Sequence, residues 1–112
     1  MAGFSGFLKT MARANSPRLA GWVDGPVARV KGNRMQVLLE DGKVICFLSG
    51  SDDIILSKDD VASVELAAQK IEQRYGDKIM VCNSYAVTFK NGEYGRFTIF
   101  EGKAAEFLLY MK

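Results

Sequence analysis

No histidine occurs among the 112 residues, so the commonest general base is missing, and with it every Ser-His or Cys-His nucleophile. The two cysteines, Cys46 and Cys82, sit in the apolar stretches VICFL and IMVCNSY with no basic neighbour in sequence to generate a thiolate. Reduced thiols buried in a core are the expected outcome, although the sequence alone leaves a disulfide open. Two cysteines without histidine fill only half of a tetrahedral zinc site, so no metal is expected. Carboxylates pair at Asp52-Asp53 and Asp59-Asp60. Both pairs fall at loop or cap positions, where a short acidic side chain accepts backbone N–H bonds, and their spacing is not that of a calcium loop. The glycines of Val23-Asp24-Gly25-Pro26 and Lys31-Gly32-Asn33 lack the pattern of a phosphate-binding loop. Neither an enzyme nor a cofactor is expected.

Two groups of residues could instead act by contact. Arg29, Lys31 and Arg34 crowd one short stretch, and clustered guanidinium and ammonium groups suit phosphate oxygens. Phe4, Phe7, Leu8 and Met11 follow the i, i+3, i+4, i+7 spacing of one helical face, with Lys9 and Arg13 off the stripe. The net charge is only +2, but residues 1–34 carry six basic groups against one acidic, and residues 35–112 carry nine against twelve. A basic N-terminal end of this kind suits an anionic partner. Nucleic acid is not expected, because the aromatic residues fall mostly in strand or helix segments instead of interleaving with a basic patch.

The elements that position these residues are mostly β. Composition is that of one ordinary globular domain, 48% hydrophobic and 25% charged. Residues 1–19 read as an amphipathic helix or an unstructured arm closed off by Pro17, and residues 20–112 as the domain. The opening lacks the apolar core of a secretory signal and no apolar run would span a bilayer, so a cytoplasmic location is expected, with peripheral membrane contact as the variant. Turns are expected at Gly32-Asn33, Asp41-Gly42 and Asn91-Gly92, the last two flanked by the opposite charges Glu40/Lys43 and Lys90/Glu93. These turns set a register: Leu39 opposite Val44, Val37 opposite Cys46, Met35 opposite Leu48, Val30 opposite Met35 and Ala28 opposite Val37. All eight residues then share one uncharged face. The other face holds Arg29, Gln36, Leu38, Ile45 and Phe47. The apolar Ile45 and Phe47 there imply a strongly curved sheet that covers this face, or a self-association surface. Lys78–Phe89 and Tyr94–Phe100 read as a long hairpin, and Gly102–Lys112 as a closing helix with Ala104, Phe107, Leu108 and Met111 on one face.

Residues 54–76 are a fork. Val61, Val64, Ala68, Ile71 and Tyr75 fit a helix capped at Ser57 and ended by Gly76, whereas Asp53–Leu56 and Val61–Leu66 also read as two short strands. Periodicity slightly favours the helix. The order of elements around Ile54-Ile55-Leu56-Ser57-Lys58-Asp59-Asp60-Val61-Ala62-Ser63-Val64-Glu65-Leu66, with Tyr85-Ala86-Val87-Thr88-Phe89-Lys90-Asn91-Gly92 and the helix around Phe107-Leu108, resembles the bacterial PH-like and GRAM domains over residues 20–112. That resemblance favours strands. It implies a bent seven-stranded antiparallel barrel capped by a C-terminal helix, and a binding or assembly module without catalysis. The helix-prone stretch Ala67–Asp77, where that family would turn from strand to strand, departs from the pattern.

The functional expectation is a non-catalytic module acting through protein–protein contact, self-association first, with Phe4, Phe7, Leu8, Met11, Ile45 and Phe47 as contact residues. The alternative is peripheral binding of anionic lipid. PH domains that bind phosphoinositides hold the headgroup with basic residues around the first hairpin, here Arg29, Lys31 and Arg34, and the N-terminal segment would assist.

Overall fold

The computed structural model describes residues 16–25 and 34–112. Its folding logic is clearest at Asp41-Gly42, where both residues take positive φ, 51° and 76°, as a two-residue hairpin loop with right-handed strand twist demands. The loop joins β2 (Met35–Glu40) to β3 (Lys43–Phe47) in the expected register, with Leu39 opposite Val44, Val37 opposite Cys46 and Glu40 opposite Lys43. A Cβ on Gly42 would meet nothing within 4 Å. Gly42→Ala is therefore expected to cost only the left-handed strain, about 1 kcal/mol in a urea titration.

The remaining strands are β1 (Leu19–Asp24), β4 (Ile54–Leu56), β5 (Val61–Tyr75), β6 (Lys78–Phe89) and β7 (Tyr94–Phe100), followed by helix α1 (Ala104–Met111). All seven strands form one antiparallel sheet in the order β4-β3-β2-β1-β7-β6-β5. The chain is thus mostly β with a C-terminal helix, as expected. The sheet starts at Leu19, the last residue of the expected arm.

Three expectations need correction. Met35 and Val37 lie opposite Val23 and Gly21 of β1, not opposite Val30 and Ala28, and both edges of β2 are taken, by β1 and β3. The run LAGWV wins because its side chains bury on both faces, with Leu19, Ala20, Trp22 and Val23 each at 9% exposure or less. Residues 26–33 themselves lie outside the described residues.

The Asn91-Gly92 turn is a three-residue loop. Phe89 N–H donates to the Glu93 carbonyl (2.8 Å) and Gly92 N–H to the Phe89 carbonyl (3.0 Å), with Gly92 alone at positive φ, 89°. This is a type I turn with a glycine bulge. Lys90 does not face Glu93; Phe89 does, and the Asn91 side-chain oxygen accepts the Glu93 N–H (2.9 Å). The extra residue brings Tyr85 opposite Phe97 and Val87 opposite Gly95, which keeps buried residues on one face; a two-residue loop would have set them against exposed ones.

The fork resolves to strand and extends further than expected. After a 3-10 turn at Lys58–Asp60, β5 runs to Tyr75, so Ala67–Tyr75 is strand. Its helical spacing arises from bulges: the β5–β6 register shifts between Val61 and Ser63, Leu66 and Ala68, and Ala68 and Ile71. Each bulge breaks the two-residue alternation that marks a strand in sequence. Lys70, at φ 53°, sits in the last bulge and its N–H donates to Asn83 Oδ1 (3.2 Å).

The main core lies between one sheet face and α1. Phe107 of α1 stacks on Tyr85 and Phe97 at 5.3 and 5.2 Å between ring centroids, and Met111 lies one turn further along. Of the expected apolar stripe, Ala104, Phe107 and Met111 are buried and Leu108 is half-buried. We call this face inner and the opposite one outer.

Candidate functional site

Nothing among the described residues assembles a metal cluster of His, Cys, Asp or Glu. Asp60 is used locally, its carboxylate accepting the Ser57 N–H at 2.9 Å. Cys46 and Cys82 are both free and buried. Burial, reinforced by the Asp53 carboxylate, pushes the Cys46 thiol up to about 12, and burial also raises Cys82. Neither is a nucleophile at neutral pH. In the unfolded chain the Cys46 thiol loses its proton near the ordinary value of 9.0, while in the folded chain it keeps it up to about 12. The native state then holds more protons than the unfolded one, so stability falls as pH rises above that value. The slope is up to ~1.4 kcal/mol per pH unit per thiol. Urea midpoints from pH 8 to 10 should show the decline, and Cys46→Ala should flatten part of it.

The outer face carries an unexpected aromatic group. Trp22, Tyr75 and Phe100, from β1, β5 and β7, stack on one another at 5.5 to 6.0 Å. They adjoin a second apolar cluster of Leu19, Leu38 and Phe47, with Ile45 packed at its margin. Phe47, expected either beneath a curved sheet or as a contact residue, is 1% exposed within this cluster, and Ile45 is half-buried. Arg34 lies 5.7 Å over the Trp22 ring and 3.9 Å from the Asp24 carboxylate. Its charge is therefore already engaged on the domain, in a geometry worth roughly 0.5–1 kcal/mol to a stacked guanidinium. Arg29, Lys31, Phe4, Phe7, Leu8 and Met11 lie outside the described residues.

A second feature is one of the two terminal edges of the sheet, that of β5. β5 is a terminal strand, hydrogen-bonded to β6 on one side and to no described strand on the other. The β6–β7 pairing ends at Cys82 opposite Phe100, while β5 and β6 continue from Ile71/Cys82 to Tyr75/Lys78. A two-stranded ribbon therefore projects past β7. Ile79 and Val81 lie on its inner face at 63% and 42% exposure, and Leu66, further back along β5 opposite Tyr85, is 48% exposed. Glu72 lies opposite Val81 and Arg74 opposite Ile79, so one acidic and one basic residue flank the apolar strip. The sequence leaves this ribbon undecided because Gly76 also fits the end of a helix over the preceding residues. Val81 and Ile79 do alternate with Met80 and Cys82, the signal that could have found it.

No helix among the described residues is long and apolar enough to cross a membrane. Comparison with protein-family models, with curated proteins and with solved structures returns no match for this chain. The geometry alone therefore has to indicate a function.

Proposed function

We propose that this chain is a non-catalytic, PH-like binding module that works through protein–protein contact, with a second copy of itself as the first partner. The observation that carries this reading is the unpaired edge of β5 on the projecting ribbon. Bulges interrupt that edge up to Ile71, and interruptions of this kind protect edges from pairing. Ile71–Tyr75 is the longest stretch of regular pairing along β5. Antiparallel pairing of two copies about Gln73 would set Glu72 of each opposite Arg74 of the other, and Ile71 opposite Tyr75. A two-fold contact of this kind is self-complementary, and each cross-strand charge pair contributes roughly 0.2–1 kcal/mol. The exposed Leu66, Val81 and Ile79 add apolar area beside it.

Sedimentation velocity over a concentration series tests the proposal. The wild type should dimerise. Glu72→Arg and Arg74→Glu should each weaken the dimer about tenfold, equivalent to ~1.4 kcal/mol, and the two together should restore it. A monodisperse monomer at millimolar concentration would overturn self-association. Salt-sensitive co-sedimentation with anionic vesicles, lost in Arg29→Ala/Lys31→Ala, would put lipid binding in its place.

A further inference from the structure

The two terminal strands of the sheet, β4 and β5, are neighbours in sequence, with only Ser57–Asp60 between them. In a flat sheet, six strand spacings of ~4.8 Å would hold them about 29 Å apart. The chain from Leu56 to Val61 reaches at most about 18 Å when fully extended, and its 3-10 turn shortens it further. The sheet therefore curves until its two ends approach each other. They do not join: among the described residues β4 pairs only with β3, and β5 only with β6.

A cleft of about 330 Å³ lies at this seam. It is lined by Ile54, Ile55 and Leu56, by Asp59 and Asp60 of the 3-10 turn, and by the β6–β7 turn. The Lys90 N–H donates to the Asp60 carbonyl at 2.9 Å, which ties the two turns together and holds the shape of the cleft. Ile54 and Leu56 lie opposite Cys46 and Val44 on the inner face, and Ile55 lies opposite Ile45 on the outer face. Successive side chains of a strand point to opposite faces, so a cleft that touches all three residues meets the edge of β4. Shortness is the one protection this edge has. β3 and β4 pair without a register shift, and Ile54-Ile55-Leu56 holds neither proline nor charge.

The chemistry of the seam selects its occupant. Main-chain N–H and C=O groups along a strand edge are satisfied by another extended backbone. The charged residues lining the cleft are Asp59, Asp60 and Glu93 against Lys90, so a cationic chain is drawn in and an anionic one is repelled. A second copy is the wrong partner here, because residues 51–60 carry four acids and one lysine and would face themselves. We propose that β4 takes a short extended peptide of net positive charge as an added strand. Three apolar residues of the peptide lie beside Ile54–Leu56, and basic residues beyond them meet the acids of the turns. Ile55, at 59% exposure, supplies the apolar contact on the outer side. The site is separate from the β5 contact and does not depend on it.

Fluorescence anisotropy on the full chain tests this with a labelled peptide of three valines flanked by paired lysines. It should bind, and amide spectra should shift at Ile54–Leu56 and Lys90–Glu93. Asp59→Lys and Ile55→Lys, both at exposed side chains, should each weaken binding about tenfold or more. Glu72→Arg, which opposes the β5 contact, should bind as the wild type does. The same peptide N-methylated at its valines keeps charge and side chains but loses its backbone donors, and it should not bind. No binding of the lysine peptide at millimolar concentration would overturn the proposal. Equal binding of the N-methylated peptide would reduce the effect to charge attraction, and equal binding of a glutamate-flanked peptide would remove the charge selection. Amide shifts confined to β5 would place the peptide on the other edge. Each of these results overturns docking on β4, and the peptide controls decide it even if a substituted chain fails to fold.

Discussion

Gly21→Ala is expected to be the most damaging single-atom change in the described sheet, costing about 4 kcal/mol or more in a urea titration. Gly21 has φ 147°, and a Cβ built on it would collide with the Thr98 backbone oxygen and touch the Ile99 Cα. The atoms in the way are backbone, so no rotamer change relieves the contact. They belong to β7 at the one place where β1 joins it. Relief means pulling β1 from β7, and among the described residues that seam is the only strand pairing between the β4-β3-β2-β1 half of the sheet and the β7-β6-β5 half. Gly42→Ala, in a turn with open space around it, is the control for left-handed backbone alone. If the two variants cost the same, the close approach at Gly21 is not what the position requires.

Phe107→Ala should follow, at about 3–5 kcal/mol. Phe107 is 0% exposed and its ring contacts two others, Tyr85 and Phe97. Eight residues are too few for a helix to hold itself together in water, so α1 exists by virtue of its docked face. Truncating its central anchor should therefore leave a cavity and loosen α1 from the sheet, visible as faster amide exchange over residues 104–111. Leu109→Ala, at 71% exposure on the same helix, should stay within ~0.5 kcal/mol. A comparable loss at Leu109 would mean that helix propensity, and not burial, holds α1.

Where local chemistry and hydrophobic period agree, the sequence is easy to read. Asp41-Gly42 dictates a turn, the turn dictates a register, and Val37, Leu39, Val44 and Cys46 fall on one buried face as that register requires. The limits of β6 and β7 are legible for the same reason. Reading fails where one extra residue is absorbed. At Asn91-Gly92 the dipeptide suggests a two-residue loop, yet pairing Tyr85 with Phe97 buries more apolar surface than a Lys90–Glu93 pair could offset. In β5 three register shifts leave a spacing that imitates a helix. The first strand is illegible for a different reason: β1 and β7 are far apart in sequence, and no local signal announces a distant partner. The same holds for the candidate surfaces. For Phe47 a covered face and a contact surface both stayed open because nothing near it in sequence covers it, and Trp22, Tyr75 and Phe100 meet only through the sheet.

The position of β1 also bears on how the chain is made. Trp22 and Thr98 are opposite one another across 76 positions of sequence. At roughly 5–20 residues per second of synthesis, β1 emerges about 4–15 s before its second neighbour exists. For that interval the nascent chain holds β1 with one edge unpaired, and the domain cannot close before its last strand arrives. After release, pairing across so long a loop places folding in the millisecond-to-second range typical of non-local β topologies. The last strand made is thus the one that completes the middle of the sheet.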